Sequence, residues 1–317
     1  MNVCSITVMA FLTLSASAAA ADYPDRPIRL VVPFLAGGSS DAAARTLAQA
    51  LHKAMGQQII VENRPGANGA IAAQGVLGAA PDGYTLLWAA ASMVAIPLLQ
   101  KAPPFESFSA FTPISSVGQF VFCMYVHPSV PAQSVAQFVA YARANPDKLN
   151  YASATLSEHM AASQLIKAAG INMVRVPYKG GVQAMPDLVS GRAQVKFGPL
   201  SSGLREVKEG KLQMPACLAS QRIPAAPNVP TMAEAGFGTV TVPTWQAVFG
   251  PAGTPLAVVQ RLSAEIARAL QDPEARRQFA LQHLETQAST PEVLAAVVRA
   301  DHGLWLRFMR ENGIAPE

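Results

Sequence analysis

Ile28-Arg29-Leu30-Val31-Val32-Pro33-Phe34, the turn Gly37-Gly38, the stretch Ser39 to Met55 and the second apolar run Gln58 to Glu62 follow one another without interruption. The first run is β-branched and short, which predicts a buried strand. Ser39 to Met55 has helical period, with Ser39, Ser40 or Asp41 placed to cap its start. A strand, a helix and a second short strand define a β-α-β unit, and hence an α/β fold with mainly parallel sheet. The alternation continues outward. Gly69 to Ala79 reads as a helix, Pro81-Asp82-Gly83 as a turn and Tyr84 to Ala89 as a third strand.

The middle of the chain repeats the alternation. Strands are predicted at Phe120 to Val126, Leu149 to Ala152, Met173 to Val176, Val195 to Phe197 and Met214 to Ala219. Helices are predicted at Ser134 to Ala144 and Ser157 to Ala169, ended by Asn145-Pro146 and Gly170. Proline-rich stretches at Ile223 to Pro230 and Val242 to Pro255 precede a helical end: Pro255 to Leu270, Pro273 to Leu284 and Pro291 to Asn312. Two α/β lobes result, with the chain crossing between them near Phe120 to Val126 and Pro215 to Ser220.

Composition sets limits. Of 317 residues, 50% are hydrophobic and 14% charged, with a net charge of +4. That balance excludes a disordered polyelectrolyte, and the dispersed Lys and Arg give no nucleic-acid patch. Val8 to Leu14 is a short apolar run followed by the small residues Ser15 to Ala21. This is a signal-peptide pattern, although Met1 to Ser5 lacks the usual basic residue. Residues 1–21 are expected to be removed, leaving a soluble chain exported to the periplasm, with no membrane insertion of its own. Cys4 would leave with the leader. For Cys123 and Cys217, both in apolar strand-like stretches, a disulfide and two buried free thiols are both open, and free thiols are the expectation.

Tests for chemistry come back empty. There is no G-x-S-x-G elbow, C-x-x-C or H-x-x-x-H pair, so neither a nucleophile nor a metal is expected. Ser153, Glu158 and His159 are close in sequence, but adjacent helical side chains diverge, so His159 is expected to be structural. No cofactor motif is present: Gly37-Gly38-Ser39-Ser40-Asp41 lacks the Lys-Ser/Thr of a nucleotide loop. It is either an anion site at a helix N-terminus or an ordinary turn.

The motifs taken together resemble the substrate-binding proteins of tripartite tricarboxylate transporters, the Bug-type family. The resemblance is carried by Tyr23 to Phe34, Gly37 to Asp41, Val61 to Gly69, Pro81 to Leu87, Val176 to Gly180, Val229 to Gly236 and Pro251 to Pro255, in the family's order. It implies a type II periplasmic-binding fold with residues 22–122 plus 221–317 as one lobe and 123–220 as the other. It implies a monomer that captures a small carboxylate and delivers it to large and small integral membrane subunits, without catalysis. A sensory or interaction protein on the same scaffold, with altered or weakened binding, is the alternative.

Carried over residue by residue, the ligand walls are Phe34, Leu35, Gly37, Gly38, Ser39, Ser40 and Asp41; then Ala89, Ala90, Ala91 and Ser92; and, opposite, Ser153, Ala154, Thr155 and Ser157. Tyr178 belongs either to the cleft or to a strand end. Asn63 to Gly69 and Asp82-Gly83 are read as scaffold. The second lobe departs from the family pattern. Tyr151 to Met160 is about two residues shorter than usual and has no glycine. The Gly-Gln-Val-Asp segment reads Gly191-Arg192-Ala193-Gln194, and an acidic position is Gly198. Glu158 adds a negative charge near the expected carboxylate site. These changes point to carboxylates without an amino group.

Overall fold

In the computed structural model, which describes residues 23–103, 105 and 108–316, the alternation resolves into two sheets. The expected leader, with Cys4, lies outside the described residues. β1 (Ile28–Val32) leads through α1 (Ser39–Met55) to β2 (Ile59–Asn63), then α2 (Ala70–Leu77) and β3 (Thr85–Ala90). A 3₁₀ segment follows at Ala91–Leu99, then β4 (Phe111–Phe120). The chain breaks at Val121 and enters β5 (Phe122–Val126), α3 (Val135–Ala144), β6 (Asn150–Ser153), α4 (Leu156–Ala169) and β7 (Val174–Pro177). α5 (Gly181–Val189), β8 (Val195–Pro199), α6 (Leu200–Lys208) and β9 (Gln213–Leu218) complete the middle. The return brings β10 (Trp245–Pro251), α7 (Leu256–Ala269), α8 (Pro273–Leu281), β11 (Leu284–Thr286) and α9 (Pro291–Glu311).

The first sheet has the order β11-β4-β10-β3-β1-β2 and the second β7-β6-β8-β5-β9. Both are mixed. β1 pairs in parallel with β2 and β3, as β6 does with β7 and β8. β10 runs antiparallel to β3 and β4, and β5 antiparallel to β8 and β9. The expected mainly parallel sheet is corrected accordingly: a strand arriving from the other lobe enters from the opposite end. The predicted single strand Phe120 to Val126 is two strands of different sheets. β4, β10, β11, α5 and α6 were not anticipated. β4 is polar in sequence, and β10 lies inside a proline-rich stretch. Close strand approach also explains Gly118, where a side chain would meet the Glu285 carbonyl at 2.2 Å.

Alternation within the strands supplies both faces of each sheet. Leu30, Val32, Leu86 and Trp88 pack with Leu47, Leu51, Leu262 and Phe279 of α1, α7 and α8. Val31, Leu87, Ala89 and Phe249 point the other way, toward α2, the 3₁₀ segment and Trp305 of α9. In the second sheet, Met124, Val126 and Phe197 face α3 and α4, while Tyr125 packs with Leu188 and Leu200 of α5 and α6. Leu156 and Met160 of α4 join the first lobe's core, so this helix packs against both halves.

Cys123 and Cys217 are register partners in the β5–β9 pair, and they form a disulfide. This corrects the expectation of free thiols. Their facing positions depend on strand register, which neither residue's surroundings reveal. The bond joins the strand just after one crossing to the strand just before the other, across 94 residues of chain. Reduction, or Cys123→Ser with Cys217→Ser, is expected to lower unfolding stability by about 2–4 kcal/mol. Chemical denaturation of the chain from Asp22 onward, with and without reductant, measures this. Two thiols titrating in the unreduced, unfolded chain would refute the bond.

Candidate functional site

A cavity of about 640 Å³ lies between the two sheets. Its first wall is the loop from β1 into α1. Gly37 has φ 81°, a left-handed turn suited to glycine, and Gly38 caps α1 with no side-chain hydrogen bond. The cap is therefore one residue before the serines expected to supply it. Asp41 instead knits the loop from inside. One carboxylate oxygen accepts from the Gly37 amide (2.9 Å) and Arg45 Nε (3.1 Å), the other from Asn63 Nδ2 (2.8 Å). Asn63 Nδ2 also donates to the Phe34 carbonyl at 3.0 Å. Burial would raise the Asp41 pKa, but these hydrogen bonds and the Arg45 charge outweigh it and hold the carboxyl below its ordinary range. Ser40 Oγ donates to Gln246 Oε1 (3.0 Å), which also accepts from Trp88 Nε1 (2.9 Å).

The second wall is built differently. Thr155 caps α4, accepting from the Glu158 amide. Glu158 then turns back. Its Oε2 accepts from the Ala154 amide at 2.6 Å, and its Oε1 accepts from Lys196 Nζ at 2.7 Å. Lys196 Nζ also donates to the Phe197 carbonyl at 2.9 Å. Both side chains line the cavity wall yet are almost wholly buried, 1% exposed for Lys196 and 4% for Glu158. The negative charge expected at Glu158 is present and is balanced by Lys196 in an ion pair. Lys196 escaped sequence reasoning. Its only signal is a lysine set between Val195 and Phe197 in an otherwise apolar strand.

Most residues expected at the site converge. Phe34, Leu35, Gly37, Gly38, Ser39, Ser40, Ala90, Ala91, Ser92, Thr155 and Ser157 line the main cavity. Ala154 and Tyr178 line an adjoining cavity of about 220 Å³, which shares Phe34, Ser92 and Thr155 with the first. Gly66 to Gly69, read as scaffold, also line this smaller space. Asp41, Ala89, Ser153 and Gly198 line neither cavity. Asp41 is committed to its loop, Ala89 is a core residue, and Ser153 Oγ accepts from Arg175 Nε at 2.9 Å. Gly198 acts by what it lacks: a Cβ there would stand 2.6 Å from Lys196 Nζ.

Sequence reasoning also missed the starts of α5 and α6, which close the mouth. Ser39 and Ser201 hydroxyls are 2.9 Å apart, and a Cβ on Gly180 would come within 2.8 Å of Leu35 Cδ1. The two lobes therefore touch across the cavity entrance.

His159 stands outside both cavities, with Nδ1 2.9 Å from the Tyr151 hydroxyl. Burial, and then the Arg175 charge, push its pKa down to about 4, so it is a neutral packing residue. Tyr178 donates to Asp187 Oδ2 at 2.7 Å, and burial together with that carboxylate pushes its pKa up to about 12. Among the described residues, no group of three potential metal ligands is found, and no helix is long and apolar enough to cross a membrane.

Two α/β lobes enclosing a mainly apolar cavity, with polar groups at the helix starts, define a binding protein of the type II periplasmic architecture. The comparisons place it further. Residues 43–313 match the tripartite tricarboxylate transporter family receptor. Protein BugT of Bordetella pertussis is 33% identical over 306 residues, which cover 95% of this chain and 93% of BugT. The periplasmic binding protein BugD superimposes with a TM-score of 0.87 at 31% identity, covering 93% of this chain and all of BugD, 100%. The R. palustris protein Rpa4515, solved with adipate, gives a TM-score of 0.88 at 29% identity over 93% of this chain and 100% of its own. The chain belongs to the tripartite tricarboxylate transporter receptor family.

Two predictions test the walls. Lys196→Met leaves Glu158 buried without its counter-ion and is expected to cost about 3–5 kcal/mol of stability, while Lys196→Met with Glu158→Gln recovers most of it. Denaturant unfolding of both variants measures the difference. For Asp41, whose folded pKa is depressed, the stabilisation is complete above the unfolded pKa of about 4 and is lost as pH falls through the folded value. The gap in unfolding free energy between wild type and Asp41→Asn should therefore be largest near neutrality and shrink below about pH 4.

Proposed function

We propose that the chain captures a small organic carboxylate in the periplasm and delivers it to the large and small membrane subunits of a tripartite tricarboxylate-type transporter. In this reading residues 22–122 with 221–317 form one lobe, 123–220 form the other, and the ligand lies between them. The observation that carries the reading is the cavity's electrostatics. The uncapped start of α1 contributes amide donors and the positive end of a helix dipole. Lys196, Arg205 and Lys211 line the same space, against the carboxylates of Glu158 and Glu206. Both carboxylates are already paired, Glu158 with Lys196 and Glu206 with Arg205. Lys211 is paired in turn with Glu209, so these side-chain charges balance, and an entering anion meets the open amide donors with no unpaired acid among those side chains.

Rpa4515, of the same fold and solved with adipate, supports an organic acid as the ligand class. A cavity of about 640 Å³ holds such an acid together with bridging waters. Contacts to both walls at once would favour the closed arrangement over an open one. Ser39, Ser201, Leu35 and Gly180 would then hold the mouth shut over the ligand.

The test is thermal unfolding of the chain from Asp22 onward against mono-, di- and tricarboxylates, adipate among them. A bound acid at a hundredfold its dissociation constant adds about 2.7 kcal/mol to stability. A saturable rise in the midpoint with one acid is the expected result. A cooperatively unfolding protein that shows no rise with any acid would overturn the proposal. Uptake of that acid by cells with and without the chain then separates delivery from sensing.

A further inference from the structure

We infer that the buried Lys196–Glu158 pair makes the second wall of the cavity a donor-only surface, which selects acids lacking an amino group. This rests on the reading of the cavity as the ligand site and identifies the residues that would set its substrate class.

The argument is one of hydrogen-bond capacity. A carboxylate exposed in a cleft is the natural partner for a ligand ammonium, and Glu158 is a carboxylate on the cavity wall. Its two oxygens, however, already have internal partners: Oε2 takes the Ala154 amide, and Oε1 takes Lys196 Nζ. An arriving ammonium could reach only their remaining lone pairs, beside the Lys196 ammonium already bound there. The lysine ammonium has three protons. It commits two, to Glu158 and to the Phe197 carbonyl, and keeps one donor in reserve. Lys196 also occupies the space in front of Gly198, so no side chain at that position can shield its charge. The pair as a whole is neutral, but both side chains are buried, so an ammonium brought up to Glu158 meets the Lys196 charge with little screening by water. The spare Lys196 proton can be given to an acid or hydroxyl, whereas a cation finds no acid here without a cation already beside it.

The pair also accounts for the short α4 approach. Glu158 is held by Thr155 and Ala154 at the first turn of α4, where an external carboxylate would otherwise be received. The protein's own carboxylate fills that place. The ligand's acid groups are then left to the α1 start and to the remaining Lys196 proton.

Matched pairs differing only in the amine test this: succinate with aspartate, glutarate with glutamate, and adipate with 2-aminoadipate, each titrated by calorimetry. Wild type should favour the amine-free member of whichever pair it binds by about a hundredfold. Lys196→Met frees Glu158 and should reverse the preference toward the amine. Lys196→Met with Glu158→Gln, which keeps an acceptor for the Ala154 amide, should bring the two members to within about tenfold of each other. The double variant decides the matter if the single one does not fold. Wild type binding the amine member as tightly as its partner would overturn the inference, as would an unchanged ratio in folded variants. If wild type binds no member of any pair while adipate-free acids of other classes do raise its unfolding midpoint, the inference alone falls. If no acid binds at all, the carboxylate-capture reading falls with it.

Discussion

The first turn of every helix carries amide groups with no partner inside the helix, and the cavity is organised around two such turns. At α1 the donors are left open: Gly38 contributes no side chain, and Asp41 is drawn into the loop by Gly37, Arg45 and Asn63. At α4 the Thr155 hydroxyl takes the Glu158 amide and the Glu158 carboxylate takes the Ala154 amide from within. The two walls begin from the same physical problem and solve it in opposite ways. One is an open cradle for negative charge. The other is a filled cradle whose charge is balanced by Lys196.

That asymmetry explains which parts of the site were legible. The β1–α1 loop is local in sequence, so its strand, two glycines and helix start are legible there, and the family resemblance adds that Phe34 to Asp41 line a cleft. The same locality let α1, α3, α4 and the three C-terminal helices be read nearly to their ends. The second wall depends on residues 38 positions apart, Glu158 and Lys196, that meet only when β8 lies beside β6 and α4 packs over both. No spacing rule connects them. Read singly, Glu158 is a misplaced negative charge and Gly198 a missing one. Read together with Lys196, they form a neutral, space-filling set. The role of Asp41 was also misjudged for a reason of direction: position fixed its place in the loop, but not which way its carboxylate turns.

The strands that were missed fail for a related reason. β4 and β10 are held by partners on both sides, so their pairing overrides a polar or proline-flanked sequence. They also carry the chain toward and away from the second lobe. Where β5 and β9 meet, the Cys123–Cys217 bond fixes the register of the two strands nearest the crossings. The chain passes between the two sheets outside that clamp, at Val121 and in the segment 219–244 between β9 and β10, where the lobe closure proposed above would have to be absorbed. Ser157, which donates to the Pro243 carbonyl at 3.0 Å, ties the α4 wall to this second segment. The ligand wall and the hinge region are hydrogen-bonded neighbours.

Positions 158, 196 and 198 are consequently constrained as a group. A side chain at 198 would force the Lys196 ammonium away from its present position, because its Cβ would lie 2.6 Å from it. Removing Lys196 alone strands a buried carboxylate, and removing Glu158 alone strands a buried ammonium. A binding site can drift by single substitutions at an exposed rim, where solvent forgives each charge. Here every single step passes through a penalised intermediate. Under the proposed function, the α4 wall would therefore change its ligand preference less readily than the open α1 wall opposite.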